Sequence, residues 1–230
     1  MPAKLTKTLS APAKPVPRLW TDFGTERLKA FSDGVFSIVI TLLVLELKVP
    51  HLDAPEDWEE LVWALSSLWP KLLAYVASFV VVGIYWLAHH NAFRYISRTK
   101  RPLLWINNFY LMSVSLIAFS AAMLGEYPNN KLASMLYGLN LVLVGLCLLG
   151  LWHYATANGL VDDHHHPKVL RATKLLSVVP VVLYSLATLL SLVSVKLALL
   201  MYVLVPTLYV MPGLLERFLE AAAKRAEAER

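Results

Sequence analysis

An acidic residue and several hydroxyl residues interrupt one apolar segment, RLKAFSDGVFSIVITLLVLELKVP, which begins at Arg27. An ionisable side chain inside a membrane helix is costly, and it is therefore a candidate functional residue. Asp33 lies only about one helical turn from the basic end of the segment. A position at the membrane interface is therefore the ordinary alternative for this carboxylate.

A second feature of the same segment is its helical periodicity. At about 100° per residue, a stripe about 60° wide contains small, apolar and hydroxyl residues: Gly34, Ile38, Thr41 and Leu45. Asp33 lies about 100° from the middle of this stripe, so it faces a neighbouring helix instead. Packing against another helix is the commoner explanation of such a stripe.

The cluster Asp162, Asp163, His164, His165 and His166 is the best candidate for a metal site. Carboxylates and imidazoles are common metal ligands. However, adjacent histidines that are followed by Pro167 cannot all point at one ion, so a solvated loop is the alternative. The P-loop, dinucleotide, zinc-protease and nucleophile-elbow motifs are all absent from the sequence, which indicates that the protein is not an enzyme and needs no cofactor.

The composition predicts the class of fold that positions these residues. Of the 230 residues, 57% are hydrophobic and only 16% are charged, whereas soluble domains contain about 25% charged residues. A water-soluble or disordered chain is therefore excluded. A membrane-spanning helix needs about 20 apolar residues. An all-α membrane protein with six transmembrane helices is predicted, at about 30–49, 68–88, 103–124, 132–154, 175–195 and 197–215.

The basic residues are distributed unevenly between the two sides of this membrane domain. Seventeen of the 21 Lys and Arg residues lie on the side of the two termini, and four on the other side. Cytoplasmic segments carry such an excess, so both termini are predicted to be cytoplasmic and the net charge of +5 does not indicate nucleic-acid binding. We expect a disordered basic tail at 1–24, the membrane domain at 25–215 and a charged helix at 216–230.

The opposite side of the membrane carries an acidic stretch, DAPEDWEELVW, that begins at Asp53. Its spacing predicts an amphipathic helix near Pro55 with a solvated acidic face. An anionic vestibule that concentrates cations near an outer mouth is a second interpretation. The two interpretations are compatible.

The first span also carries a family signature. Arg27, Phe31, Ser32 and Asp33 form R-x-x-x-F-S-D, which resembles the first-helix motif of the endolysosomal potassium-channel family, the transmembrane protein 175 family, and of its prokaryotic homologues. The segments WLAHHNAF and LLWINNFYLMSVSLIAF, at the end of the second span and the start of the third, are similar to that family's patterns. The third span has Ala118 where the family pattern has proline.

The resemblance implies a homotetramer whose first helices line a central pore. By position, Ile38 would form a hydrophobic constriction, Thr41 a layer of hydroxyls and Leu45 a further apolar ring, with Gly34 on the same face. Arg27, Ser32 and Asp33 would form a structural polar network. Its implied partners on neighbouring helices are His90, Trp105 and Asn108.

The function implied is a potassium-preferring channel in the cell membrane, a multi-pass protein whose partners are potassium ions, the lipid bilayer and its own copies. An apolar ring would select by the cost of removing hydration water, which is lower for potassium than for sodium. A proton-coupled secondary transporter that uses Asp33 and His90 is the alternative. Transporters usually contain repeats and broken helices, and neither is evident in this sequence. A membrane enzyme or scaffold is a third class, which the absence of nucleophile and metal-ligand constellations disfavours.

Overall fold

The computed structural model describes residues 25–161 and 167–210, the second range with side chains from residue 177 onward. These residues include the whole segment that carries the R-x-x-x-F-S-D motif. Three predictions lie outside the described residues: the tail of 1–24, the Asp162–His166 cluster and the helix of 216–230.

The described residues form seven α-helices, and a short 3₁₀ segment, Leu43–Glu46, extends the first of them. The helices are α1 (Thr25–Leu42), α2 (Trp58–Ser67), α3 (Trp69–Tyr95), α4 (Arg101–Glu126), α5 (Lys131–Ala157), α6 (Pro167–Val193) and α7 (Val195–Val210). The prediction of an all-α fold is confirmed. Ser194 alone separates α6 from α7.

The helix starts follow from local sequence. Asn130 caps α5, because its side-chain oxygen accepts hydrogen bonds from the backbone N–H groups of Leu132 and Ala133, at 2.8 and 3.3 Å. Such caps satisfy N–H groups that have no partner inside the helix. Pro70 and Pro102 lie in the first turns of α3 and α4, where the missing N–H of proline costs nothing.

Four helical segments are long and apolar enough to cross a membrane: Thr25–Glu46, Trp69–Tyr95, Arg101–Glu126 and Lys131–Ala157. Two further apolar segments, Ser177–Val193 and Val195–Val210, are shorter than these four, as measured over the residues whose side chains are described. Four of the six predicted spans therefore meet the length requirement. The fifth and sixth remain predictions.

The core lies where α3, α4 and α5 meet. Val82, Val114 and Val144 are fully buried there, one from each helix. Alpha1 packs against α3 and α4, and α6 and α7 complete the other side of the bundle. At the end of the bundle where α2 lies, Lys71 of α3 and Glu126 of α4 form an ion pair of 2.5 Å.

Glycines allow α5 to approach the last two helices closely. A Cβ on Gly138 would overlap the hydroxyl groups of Tyr202 and Thr188, and both of these residues are buried. A Cβ on Gly145 would lie 2.6 Å from a methyl carbon of Val181. Residues larger than glycine at these two positions would force the helices apart.

We predict that Gly138→Ala lowers the stability of the folded protein by about 1–3 kcal/mol, the usual cost of overpacking a core. The matched control is Gly150→Ala on the same helix, because a Cβ there meets no atom within 4 Å. Melting in mild detergent, followed by size-exclusion chromatography of heated samples, measures both variants. Equal melting temperatures for the two variants would show that α5 and α7 do not meet as described.

Candidate functional site

Alpha1 has one buried face and one exposed face. The buried side chains recur at intervals of three or four residues and pack against α3 and α4: Leu28, Ser32, Phe36, Val39 and Leu43. This spacing is that of one face of an α-helix. This pattern shows the rotation of α1 about its own axis and which of its residues face away from the chain.

The predicted stripe lies on the exposed face. Ile38 and Leu45 are 60% and 66% exposed in the single chain, and Gly34 and Thr41 are also exposed. A Cβ on Gly34 would meet no atom within 4 Å, so packing within the chain does not require glycine at this position. An apolar face of this kind must be covered by lipid or by other chains, or must surround a narrow space.

Leu45 departs from the helix geometry that the sequence predicts. It lies in the 3₁₀ segment Leu43–Glu46, whose winding is tighter than that of an α-helix. Leu45 is therefore rotated around the axis relative to the position that an unbroken α-helix would give it. It remains exposed, but its alignment with Thr41 is less strict than predicted.

The hydroxyl of Thr41 is bonded to its own helix. It donates to the backbone oxygen of Ile38 at 2.9 Å, with the oxygen of Ser37 also near, at 3.0 Å. A hydroxyl oxygen that donates its proton still has lone pairs that can accept a hydrogen bond or coordinate a cation. On the exposed face, Thr41 therefore presents an acceptor.

A buried polar network attaches α1 to α3 and α4. The amide nitrogen Nδ2 of Asn107 donates to Ser32 Oγ at 3.0 Å, and Asn107 Oδ1 lies 2.8 Å from His89 Nε2. Because an amide oxygen cannot donate, His89 is the donor of the second bond. All three residues are buried, so each would be costly to leave without its partner.

Asp33 lies at the boundary between the two faces of α1. Its Oδ1 accepts a hydrogen bond of 2.9 Å from the indole Nε1 of Trp86 on α3. The ring of Trp86 in turn lies 5.7 Å from that of His90, measured between ring centroids. The carboxylate thus faces a neighbouring helix, as the helical periodicity predicts.

The residues bonded to the motif differ from those that the resemblance implies. Within one chain, the partner of Ser32 is Asn107 rather than Asn108, which is exposed, and Trp105 is 55% exposed. Consecutive residues on a helix point about 100° apart, so a shift of one position exchanges a buried side chain for an exposed one. His90 contacts only the edge of the network, through the ring of Trp86.

A periodic signal in the sequence could have identified Asn107. Leu103, Tyr110, Leu111 and Val114 are the buried apolar residues of this stretch, and position 107 continues their spacing of three and four. Trp86 and His89 lack such a clear signal, because α3 is apolar on almost every side.

Arg27 and Phe31 lie on the exposed side of the helix, and Phe31 is 56% exposed. The ion pairs of the described residues, Lys29 with Glu26 and Lys71 with Glu126, do not include Arg27. The part of Arg27 in the polar network therefore stays a prediction. The R-x-x-x-F-S-D motif is divided between a buried anchor and an exposed surface.

Among the described residues, three or more metal-ligating side chains do not come together anywhere.

The apolar helices, the charge distribution and the buried polar anchor define a multi-pass membrane protein. Comparison with known proteins extends this assignment. The family described as "Endosomal/lysosomal potassium channel TMEM175" matches residues 27–117. A potassium channel of Streptomyces collinus is 41% identical over 155 residues, which cover 65% of this chain and 73% of that protein. The chain belongs to the TMEM175 family, which is a family of ion channels and not of enzymes.

Two further relatives extend the comparison. The crystal structure of a lysosomal potassium-selective channel TMEM175 homolog from Chamaesiphon minutus superimposes with a TM-score of 0.72 at 33% identity, covering 80% of this chain and 94% of that one. The human protein named endosomal/lysosomal proton channel TMEM175 is 42% identical over 94 residues, which cover 39% of this chain and 19% of that protein. The resemblance to the family is therefore confirmed.

We predict that Asn107→Ala destabilises the folded chain by about 1–3 kcal/mol for each buried group left without a partner. Ser32 and His89 would both lose a hydrogen bond. The matched control is Asn108→Ala, which removes the same amide from the exposed side of α4. Thermal melting in detergent compares the two variants. A larger loss of stability for Asn108→Ala than for Asn107→Ala would show that the hydrogen-bond network within the single chain is not the main anchor of α1.

Proposed function

We propose that this chain is one subunit of a potassium channel whose central pore is lined by the exposed face of α1. The proposal rests on one observation: Gly34, Ile38 and Thr41 form an exposed stripe on a helix whose opposite face is buried in the core. Membership of the TMEM175 family and the potassium channel of Streptomyces collinus support potassium as the permeant ion.

A single α1 helix cannot enclose a pore, so several copies of the chain must surround a common axis. Closed symmetry is the rule for oligomers of identical chains, and a homotetramer of four α1 helices is the arrangement that we propose. Each subunit would cross the cell membrane six times, with α6 and α7 as the last two spans and both termini in the cytoplasm. The excess of Lys and Arg on that side supports this orientation.

Ile38 would form the narrowest part of the pore. Four aliphatic side chains offer an ion no ligand, so passage requires partial removal of its hydration water. Potassium holds that water less tightly than sodium does, which gives potassium the lower barrier. Thr41 follows one turn further along, and its oxygen would replace part of the lost water.

Proton passage is a second candidate, because the human relative is named a proton channel. A relay between Asp33 and His90 within one chain meets an obstacle in the structure. Trp86 contacts both of them, and its indole N–H donates to Asp33. An indole nitrogen cannot accept a proton. Protons would therefore move through water in the pore, rather than along this pair of side chains.

We predict that Ile38→Asn raises conductance and reduces the preference for potassium over sodium, because amides would wet the constriction and supply ligands to both ions. A barrier lowered by about 1.4 kcal/mol increases the rate about tenfold. Thr41→Ala should weaken selectivity with a smaller change in conductance. Bi-ionic reversal potentials and single-channel currents in reconstituted bilayers measure both effects.

The control for Ile38→Asn is Val39→Ala, at the adjacent position on the buried face, where Val39 is 4% exposed. It should lower stability and leave the reversal potential unchanged. If Ile38→Asn tetramers keep the conductance and the reversal potential of the wild type, the constriction lies elsewhere. If the wild type shows no cation current, potassium conduction itself is refuted.

We predict that four chains assemble with the Ile38 side chains near one axis. Cys147 is the only cysteine, so a Cys147→Ser chain provides a clean background. Ile38→Cys in this background should form disulfide-linked dimers on oxidation, whereas Val39→Cys should not. Native mass spectrometry gives the number of chains. A stable monomer or dimer as the sole species, or cross-linking at 39 rather than 38, would contradict the arrangement.

A further inference from the structure

Alpha2 begins at a tightly bonded acidic turn. Asp57 caps the helix by accepting from the backbone N–H groups of Glu59 and Glu60, at 2.8 and 3.4 Å. The carboxylate of Glu60 accepts from the backbone N–H groups of Asp53 and Ala54, at 2.8 and 2.9 Å. The acidic residues thus hold the preceding loop against the helix and define where α2 starts.

The helix exposes a large apolar face. Trp58, Val62 and Leu65 follow one another at intervals of four and three residues, and they are 71%, 55% and 52% exposed. On the side of α2 that packs against the chain, Ala64 is buried. Leaving a large apolar side chain in water forgoes about 1.5–3 kcal/mol relative to burial, so this face has a partner outside the single chain.

The apolar face continues onto a candidate membrane span. Only Leu68 separates α2 from α3, and Trp69, Leu72 and Val76 extend the exposed apolar surface along the first turns of α3. The start of a span is the level at which a membrane meets water. Tryptophan is enriched at this level, because its ring is amphipathic.

One flank of α2 is polar, and the exposed Trp63 lies beyond it. Glu59 and Ser66 lie about 90° away from the middle of the apolar face, and both are exposed. A short helix with one apolar and one charged face is typical of segments that lie in the plane of the membrane interface. Here the charged face is acidic rather than basic, so attraction to anionic lipid does not contribute.

We propose that α2 lies in the membrane interface and inserts Trp58, Val62 and Leu65 into a zwitterionic lipid surface. The helix would hold the start of α3 at a fixed depth and keep its acidic face in water. The proposal requires only that α3 spans a membrane. It does not depend on which ion, if any, passes along α1.

Spin labelling tests the proposal on the full chain. In the Cys147→Ser background, nitroxides are attached to single cysteines that replace Trp58, Val62, Leu65, Trp63 and Ser66, in phosphatidylcholine bilayers. Trp63 is the matched control for Trp58: it is the same residue type, 73% exposed, and about 140° further around the helix. The ratio of oxygen to nickel-chelate accessibility should be severalfold higher at 58, 62 and 65 than at 63 and 66.

Two other patterns would overturn the proposal. High nickel accessibility at all five positions would mean a solvated helix. Low accessibility to both probes at 58, 62 and 65, with spin–spin broadening, would mean that another copy of the chain covers this face.

A second measurement covers the case in which the cysteine variants fail to fold. Lipid brominated near the headgroup quenches nearby tryptophan, so Trp58→Tyr should reduce the quenched fraction of the emission more than Trp63→Tyr does. An equal or smaller reduction would also overturn the proposal. Anionic lipid added to the bilayer should leave both results unchanged.

Discussion

The hydrogen bonds of Asn107 are the interaction on which the arrangement of α1 depends. They connect Ser32 of α1 with His89 of α3 through a single amide on α4. A helix that is apolar on most sides could rotate in a membrane with little change in free energy, because lipid is as apolar as a protein core. The buried amide removes this freedom, since any other rotation would leave polar groups without partners. It thereby decides which face of α1 is exposed.

The fixed rotation has a consequence for assembly. Phe36 and Val39 complete the core of one chain, whereas Ile38 on the same helix contributes nothing to it. In the proposed channel, the stability of the single chain and the function of the assembly would therefore be carried by different faces of one helix. Substitutions on the two faces should therefore have separable effects.

The periodicity of the sequence was sufficient to predict the helices, the common face of Gly34, Ile38 and Thr41 and the direction of Asp33, because these depend on local geometry. It was not sufficient for Leu45, since the change to a 3₁₀ segment at Leu43 has no clear signal in an apolar run. On α4, the residue bonded to Ser32 is Asn107, one position from the predicted Asn108, and the spacing of the buried residues favours it. Trp86 could not be found from periodicity, because contacts between helices depend on how they cross.

The chemistry of the α1 face also bears on the sign of the charge that a pore of this kind admits. Ser37 and Thr41 both donate their hydroxyl protons to backbone oxygens of the same helix. In a pore formed as proposed, this stretch of the wall would thus present oxygen lone pairs and few free donors. A cation finds acceptors there, whereas an anion, which needs N–H or O–H donors, finds almost none. Preference for cations can therefore arise without a fixed acidic residue, and the carboxylate of Asp33 is left to hold Trp86.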